Sequence, residues 1–201
     1  MRALALIIFI LATLHSSAQL TPEQLDSCKV YTSLEKALAA STPVYRLDLT
    51  KQKIKELPAE LYELKDLHEL ILDRNKLKEI PADINKLQQL QRLSISKNDL
   101  ESFPPAICNL RNLTRLDLSD NFIDEIPDEI HRLYKLEELI LWSNVIGYYP
   151  TTLMRLDNLK VLDLLHNEMS DAEQERLKNL LPEIDLKLSP PCDCTFDDED
   201  E

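Results

Sequence analysis

From residue 44 onward, apolar positions return on a fixed schedule. Val44-Tyr45-Arg46-Leu47-Asp48-Leu49 alternates apolar and polar, and Ile54, Leu57, Pro58, Leu61 and Leu64 follow. The next copies begin at Leu67, Leu90, Leu113, Leu136 and Leu159, a step of 23 residues each time. A constant period of this size dictates a stacked array, because one unit cannot bury its apolar face alone. In the fourth copy, Leu113-Thr114-Arg115-Leu116-Asp117-Leu118 has the alternation of a strand. It predicts Leu116 and Leu118 pointing inward and Arg115, Asp117 and Ser119 pointing out. An amide follows each strand: Gln52, Asn75, Asn98, Asn121, Asn144 and Asn167. A buried amide holds donors and acceptors together, so a stack of them would satisfy the backbone of adjoining turns. Gln52 is longer, which predicts a less regular first turn. On the back of the fourth copy, Ile123, Ile126, Pro127, Ile130 and Leu133 are expected inside. Pro58-Ala59-Glu60, Pro81-Ala82-Asp83 and Pro127-Asp128-Glu129 predict a short helix or 3₁₀ turn per copy, with proline in its first turn and the acid favoured at its start. Those acids are structural and solvating positions.

Both ends of the array break the pattern. Thr21-Pro22-Glu23 has the form of a helix start. A second helical piece, Ser33 to Ala40, carries Leu34, Ala37 and Leu38 on one face, and Ser41-Thr42-Pro43 ends it. The sixth copy departs after Met169. Ser170-Asp171-Ala172-Glu173 is a capping box that starts a helix to about Leu181, stopped by Pro182. Ile184-Asp185-Leu186-Lys187-Leu188 then alternates as a last strand. The expected organisation is a signal peptide over 1–18, an N-terminal helical cap over 19–43, six repeats over 44–169, a C-terminal cap over 170–189 and an acidic disordered tail over 190–201. Terminal caps are required because an open solenoid end exposes its core.

The pattern Leu-x-x-Leu-x-Leu-x-x-Asn-x-Leu, followed by Leu/Ile-Pro and another Ile or Leu three residues later, resembles the leucine-rich repeat family. Its 23-residue step and Leu-Pro element resemble the class found in Ras-interacting scaffolds and many bacterial proteins. The segment Tyr31-Thr32-Ser33-Leu34-Glu35-Lys36-Ala37-Leu38 is similar to secreted bacterial repeat proteins of the Bacteroidetes type. The resemblance implies an α/β fold, a right-handed solenoid with a concave parallel β-sheet and short helices or 3₁₀ turns on the convex side. It also implies protein–protein interaction as the usual activity, and no enzyme. The cysteine-rich flanking caps of vertebrate extracellular relatives are absent.

Composition narrows the picture. The chain has 201 residues and one glycine, Gly147, whereas sandwiches and barrels use glycine at their tight turns. The net charge of −13 argues against nucleic acid, whose binding begins with neutralisation of phosphates. Arg2, the apolar run Ala3 to Leu14 and the small residues Ser16-Ser17-Ala18 form a secretory leader with cleavage expected between Ala18 and Gln19. The run is shorter than the roughly 20 residues of a spanning helix, and no later stretch is suited to span a membrane. Four cysteines follow: Cys28, Cys108, Cys192 and Cys194. Six strands at roughly 4.8 Å spacing hold the ends of the array more than about 25 Å apart, while a disulfide needs Cα atoms within about 7 Å. Cys28 is therefore not expected to bridge to the last pair. Cys192 and Cys194 read as free thiols or an intermolecular link rather than a metal pair.

Because copies stack, the sequence folds into columns. Three should project from the concave sheet. They read Arg46, Glu69, Arg92, Arg115, Glu138, Val161, then Asp48, Ile71, Ser94, Asp117, Ile140, Asp163, then Thr50, Asp73, Ser96, Ser119, Trp142, Leu165. Polar residues dominate, but Ile140, Trp142, Val161 and Leu165 gather at one end with Glu138 and Asp163 among them. Exposed apolar clusters mark interaction sites, and tryptophan is enriched at binding hot spots. These six are the candidate partner-binding residues. The competing reading is that the C-terminal cap leans over this end and buries them. The next column reads Lys51, Arg74, Lys97, Asp120, Ser143, His166. Its first half is a secondary basic ladder for an acidic partner, or simply a solvated face. Its second half fails as a triad, because histidine must lie between serine and aspartate and here Ser143 is in the middle. His68 and His131 stand alone, so no metal site is expected, and no cofactor. Asn112-Leu113-Thr114 matches a glycosylation acceptor with a core leucine in its middle. The expectation is an exported monomer, secreted or held in the periplasm or cell envelope, that binds a protein partner without turnover. The alternative is a structural or adhesive envelope component that binds carbohydrate or itself.

Overall fold

The structure, a computed structural model, describes residues 19–190. The leader, Cys192, Cys194 and the rest of the acidic tail lie outside the described residues. The 23-residue alternation is realised as short strands: β2 Arg46–Asp48, β3 Glu69–Ile71, β4 Arg92–Ser94, β5 Arg115–Asp117, β6 Glu138–Ile140 and β7 Val161–Leu164. Each pairs parallel with the next in strict repeat register, so Arg46 faces Glu69, Glu69 faces Arg92, and onward to Val161. Two further strands extend the sheet, β1 Val30–Tyr31 beside β2 and β8 Asp185–Leu188 beside β7. The result is one eight-stranded sheet whose spatial order follows the chain. It is an open leucine-rich solenoid, with a single apolar core running its length behind the sheet.

The return segments are 3₁₀ turns at Ala59–Glu63, Ala82–Lys86, Pro105–Asn109, Asp128–Arg132 and Thr151–Arg155. Proline sits one step earlier than the expected first turn. Pro58, Pro81, Pro104, Pro127 and Pro150 occupy the N-cap in an extended conformation. There the missing N–H costs nothing, and each carbonyl accepts the first bond of its turn, as in Ile130 N to Pro127 O at 3.1 Å. Ile123, Ile126, Ile130 and Leu133 are fully buried, while Pro127 remains half-exposed.

The amides bind one copy to the next. Asn121 Nδ2 donates to Leu118 O at 2.9 Å in its own turn and to Ile95 O at 3.0 Å in the preceding copy. Its Oδ1 accepts from Leu100 N at 3.1 Å. Asn75, Asn98, Asn144 and Asn167 repeat this pattern. Ile95 O therefore receives both Asn98 and Asn121, and Leu118 O both Asn121 and Asn144. Gln52 stands outside the ladder. It is exposed, and its Nε2 reaches Thr32 O at 3.0 Å. The first turn is irregular as well, with both Lys51 and Lys53 at φ 60°.

At the N-terminal end, α1 Pro22–Ser27 begins at a Thr21–Gln24 capping box, and α2 Leu34–Leu38 is capped by Ser33. α2 places Ala37 in the core but leaves Leu38 exposed. The segment before β1 does not stay at the first copy. Leu20 O accepts from Gln91 Nε2 at 2.8 Å, and Gln19 Oε1 accepts from Lys135 Nζ at 2.9 Å. Residues 19–27 thus lie as a strap along the rim where the strands begin, touching the first, third and fourth copies. At the other end, α3 Asp171–Leu180 starts at the Ser170–Glu173 capping box and buries Leu177 in the core. Tyr149 Oη donates to Glu173 O at 2.6 Å.

Candidate functional site

The concave columns are chains of internally matched charge. Arg46 bonds Glu69, and Arg92 Nη1 lies 3.5 Å from the same carboxylate. Arg92 also reaches Asp26 of α1 at 2.5 Å and holds that carboxyl below its usual range. Arg115 pairs with Glu138, and Lys187 of β8 stands 3.8 Å from Asp163. Between the strap and the strands lies a cleft of about 450 Å³, lined by Pro22, Glu69, Arg92, Arg115 and Glu138 among others. Asp73 accepts from Ser94 Oγ and Ser96 N, yet burial pushes its carboxyl up.

Against this paired background, Ile140, Trp142, Val161 and Leu165 are half-exposed. The C-terminal cap leaves them so. β8 continues the sheet in register rather than folding across it, and α3 turns its leucine into the core. Asp163 is different from the other five candidates. It is buried at 8% exposure, and its Oδ1 accepts from Leu165 N at 3.1 Å, so it shapes the turn and faces Lys187 instead of offering a free carboxylate. Ser119, expected outside, is likewise buried, with its Oγ donating to Asp117. Glu138 keeps an exposed edge while paired to Arg115.

The column Lys51, Arg74, Lys97, Asp120, Ser143, His166 shares a backbone conformation. All six have φ between 55° and 60°. This left-handed region is uncommon for residues other than glycine, and here it turns each strand into the amide step that follows, Gln52 in the first copy and asparagine in the other five. Lys97 is drawn into the concave face, where its Nζ lies 2.9 Å from Asp120 and 5.9 Å from the Trp142 ring centroid. Solvent-exposed contacts of this type are worth about 0.5–1 kcal/mol. Ser143 Oγ donates to Asp120 Oδ1 at 3.4 Å, and the His166 backbone N–H donates to Ser189 Oγ. Among the described residues, no group of three or more His, Cys, Asp or Glu side chains is arranged to hold a metal, and no helix is long and apolar enough to cross a membrane. Asn112 is occupied at both ends of its amide, by Gln88 O and Lys135 Nζ.

One apolar group escapes the concave columns. Phe122, Val145 and Tyr148 are exposed at 57%, 39% and 54%. Phe122 and Val145 lie one residue past Asn121 and Asn144, where the sheet face gives way to the side of the solenoid. The equivalent positions in the other copies are Lys53, Lys76, Asp99 and Glu168. Reading one column beyond the asparagines would have found it.

The leucine-rich repeat region profile matches residues 67–188, and the chain belongs to the leucine-rich repeat family. A solved leucine-rich repeat protein of Leptospira interrogans is 35% identical, with a TM-score of 0.67, over 82% of this chain and 49% of its own. An internalin of Listeria monocytogenes shares the fold at 24% identity and a TM-score of 0.55, over 74% of this chain and 48% of its own. The chain thus spans about half the length of each of these two proteins. No curated protein sequence matches it. A leucine-rich repeat fold is that of a protein-interaction module.

Proposed function

We propose that the chain is an exported, non-enzymatic module that binds a protein partner on the C-terminal half of its concave sheet. The observation that carries this reading is the half-exposed group Ile140, Trp142, Val161 and Leu165 on a face whose charges are otherwise paired among themselves. Apolar surface that the fold leaves open, with a tryptophan at its centre, has the make-up of a binding hot spot. Glu138 supplies a polar margin. Lys51 and Arg74 remain exposed toward an acidic fringe of the same partner, and Phe122 and Val145 would extend the contact around the edge. The protein acts as a monomer without a cofactor. Export rests on the leader over residues 1–18, with cleavage after Ala18.

The test is capture of partners from the envelope or medium of the source organism by the 19–201 protein, followed by titration of what is captured. Trp142→Ala is expected to weaken binding at least tenfold, as loss of a hot spot does, while its circular dichroism is unchanged. Unchanged affinity for a captured protein would remove this face from consideration. Recovery of glycan without protein would replace the reading with a carbohydrate-binding envelope component.

A further inference from the structure

The strap begins at Gln19, the residue that leader cleavage would leave as the N-terminus. Its side chain is used unevenly. Oε1 accepts from the Lys135 ammonium at 2.9 Å, and the same Nζ donates to Asn112 Oδ1 at 2.8 Å. Nε2, by contrast, is buried with no hydrogen-bond partner. A buried donor without an acceptor is a standing cost. The fold therefore uses the carbonyl of this amide and has no use for its NH₂. An N-terminal glutamine has a reaction that removes that half alone.

We propose that the exported chain carries its N-terminus as a pyroglutamyl lactam at Gln19, with Lys135 assisting its formation. The inference rests on the export reading, since only cleavage after Ala18 frees the Gln19 amine. In the reaction, the α-amino nitrogen attacks Cδ and forms the N–Cδ bond. The Cδ–Nε2 bond breaks, and Nε2 leaves as ammonia with the proton given up by the amine. No oxidant or co-reactant is needed. The α-amino group titrates near about 8, so a neutral, nucleophilic fraction exists at physiological pH. As the amine adds, negative charge develops on Oε1, the atom to which Lys135 donates. A preorganised cationic donor at that place stabilises the developing oxyanion. The product keeps the carbonyl that Lys135 holds, discards the orphaned NH₂ and removes the terminal positive charge from the neighbourhood of the Lys135 ammonium. Leu20, anchored through its carbonyl to Gln91 Nε2 at 2.8 Å, keeps the new terminus against the rim.

The experiment is mass spectrometry of the full chain, produced with its leader in an exporting host and recovered outside the cytoplasm. The expected N-terminal peptide begins at residue 19 and is lighter than the unmodified peptide by one ammonia. A peptide that begins at residue 19 with intact glutamine overturns the lactam and leaves the cleavage reading standing. A chain that keeps its leader, or begins elsewhere, overturns both. The role of Lys135 is tested by following ammonia loss in freshly cleaved protein. Lys135→Met is expected to slow it about tenfold, and unfolding the wild-type chain in urea should slow it equally. Equal rates in folded wild-type, folded variant and unfolded chain would overturn the assistance by Lys135.

Discussion

Replacing Asn121 by alanine probes what joins one copy to the next. The wild-type amide makes three donor contacts, to Ile95 O, Leu118 O and Ser119 O, and accepts from Leu100 N. The losses are unequal. Ile95 O still receives Asn98, and Leu118 O still receives Asn144, so these carbonyls each lose one of two partners. Leu100 N loses the acceptor that the ladder provides, in a residue with no exposure. A stranded buried donor costs about 1–3 kcal/mol, and each weakened carbonyl contact adds about 0.5–1 kcal/mol. Asn121→Ala should therefore lose about 2–5 kcal/mol. Gln52→Ala is the internal control. It removes one exposed contact, to Thr32 O, and should cost less than about 1 kcal/mol. Urea unfolding followed by circular dichroism and by Trp142 fluorescence gives both values. Dichroism reports on the whole stack, and Trp142 sits in the fifth copy. In an array with nearest-neighbour coupling, a weakened joint can also separate the two transitions. A loss below about 1 kcal/mol for Asn121→Ala with coincident, unchanged slopes, or an equal loss for Gln52→Ala, would refute the asparagine ladder as the joint between copies.

Two further perturbations follow. At Arg74, φ 57° makes the backbone the main constraint. Arg74→Asn, which tolerates the left-handed region, should leave stability within about 0.5 kcal/mol, whereas β-branched Arg74→Val should lose about 1–3 kcal/mol; equal urea midpoints for the two variants would contradict this. Cys108 is fully buried, and burial pushes its thiol up to about 12. The unfolded thiol titrates near about 8.5, so between these values the unfolded state has lost a proton that the folded state keeps, and stability falls as pH rises. Cys108→Val should flatten that decline between about pH 9 and 11 in urea melts, and peptide mapping after maleimide treatment should find Cys108 labelled only once the chain unfolds.

The repeat made most of the fold legible, because strand alternation, amide and Leu-Pro step each recur where packing demands them. What escaped lacked a periodic signal. β1 is two residues long, Val30 and Tyr31, too short to alternate. The strap is held by contacts between residues 71 and 116 positions apart, which no local pattern encodes. The left-handed column is occupied by Lys, Arg, Asp, Ser and His, so its charges drew the eye while the shared property lay in the backbone. Asp163 stood among half-exposed neighbours in its column, but a carboxylate two residues before a backbone N–H can turn back on its own chain, as Asp48 and Asp117 also do. The apolar group around Trp142 was visible because it broke a polar column. Phe122 and Val145 break a polar column too, one that lies past the sheet edge.

The strap also changes the order in which this molecule can assemble. A stack of copies closes loops of about one repeat at a time, and each closure is entropically cheap. The contact between Gln19 and Lys135 closes a loop of 116 residues, and it has no docking surface until the first, third and fourth copies stand in line. Folding can therefore start anywhere along the stack, but the strap has to arrive after it. Apart from the one buried side chain Leu25 it is held by a few polar contacts on the rim, which places it at the low end of local opening energies. Native-state hydrogen exchange should show residues 19–27 opening far more often than the ladder amides beneath them, so that the N-terminus acts as a late-closing latch on an already finished stack.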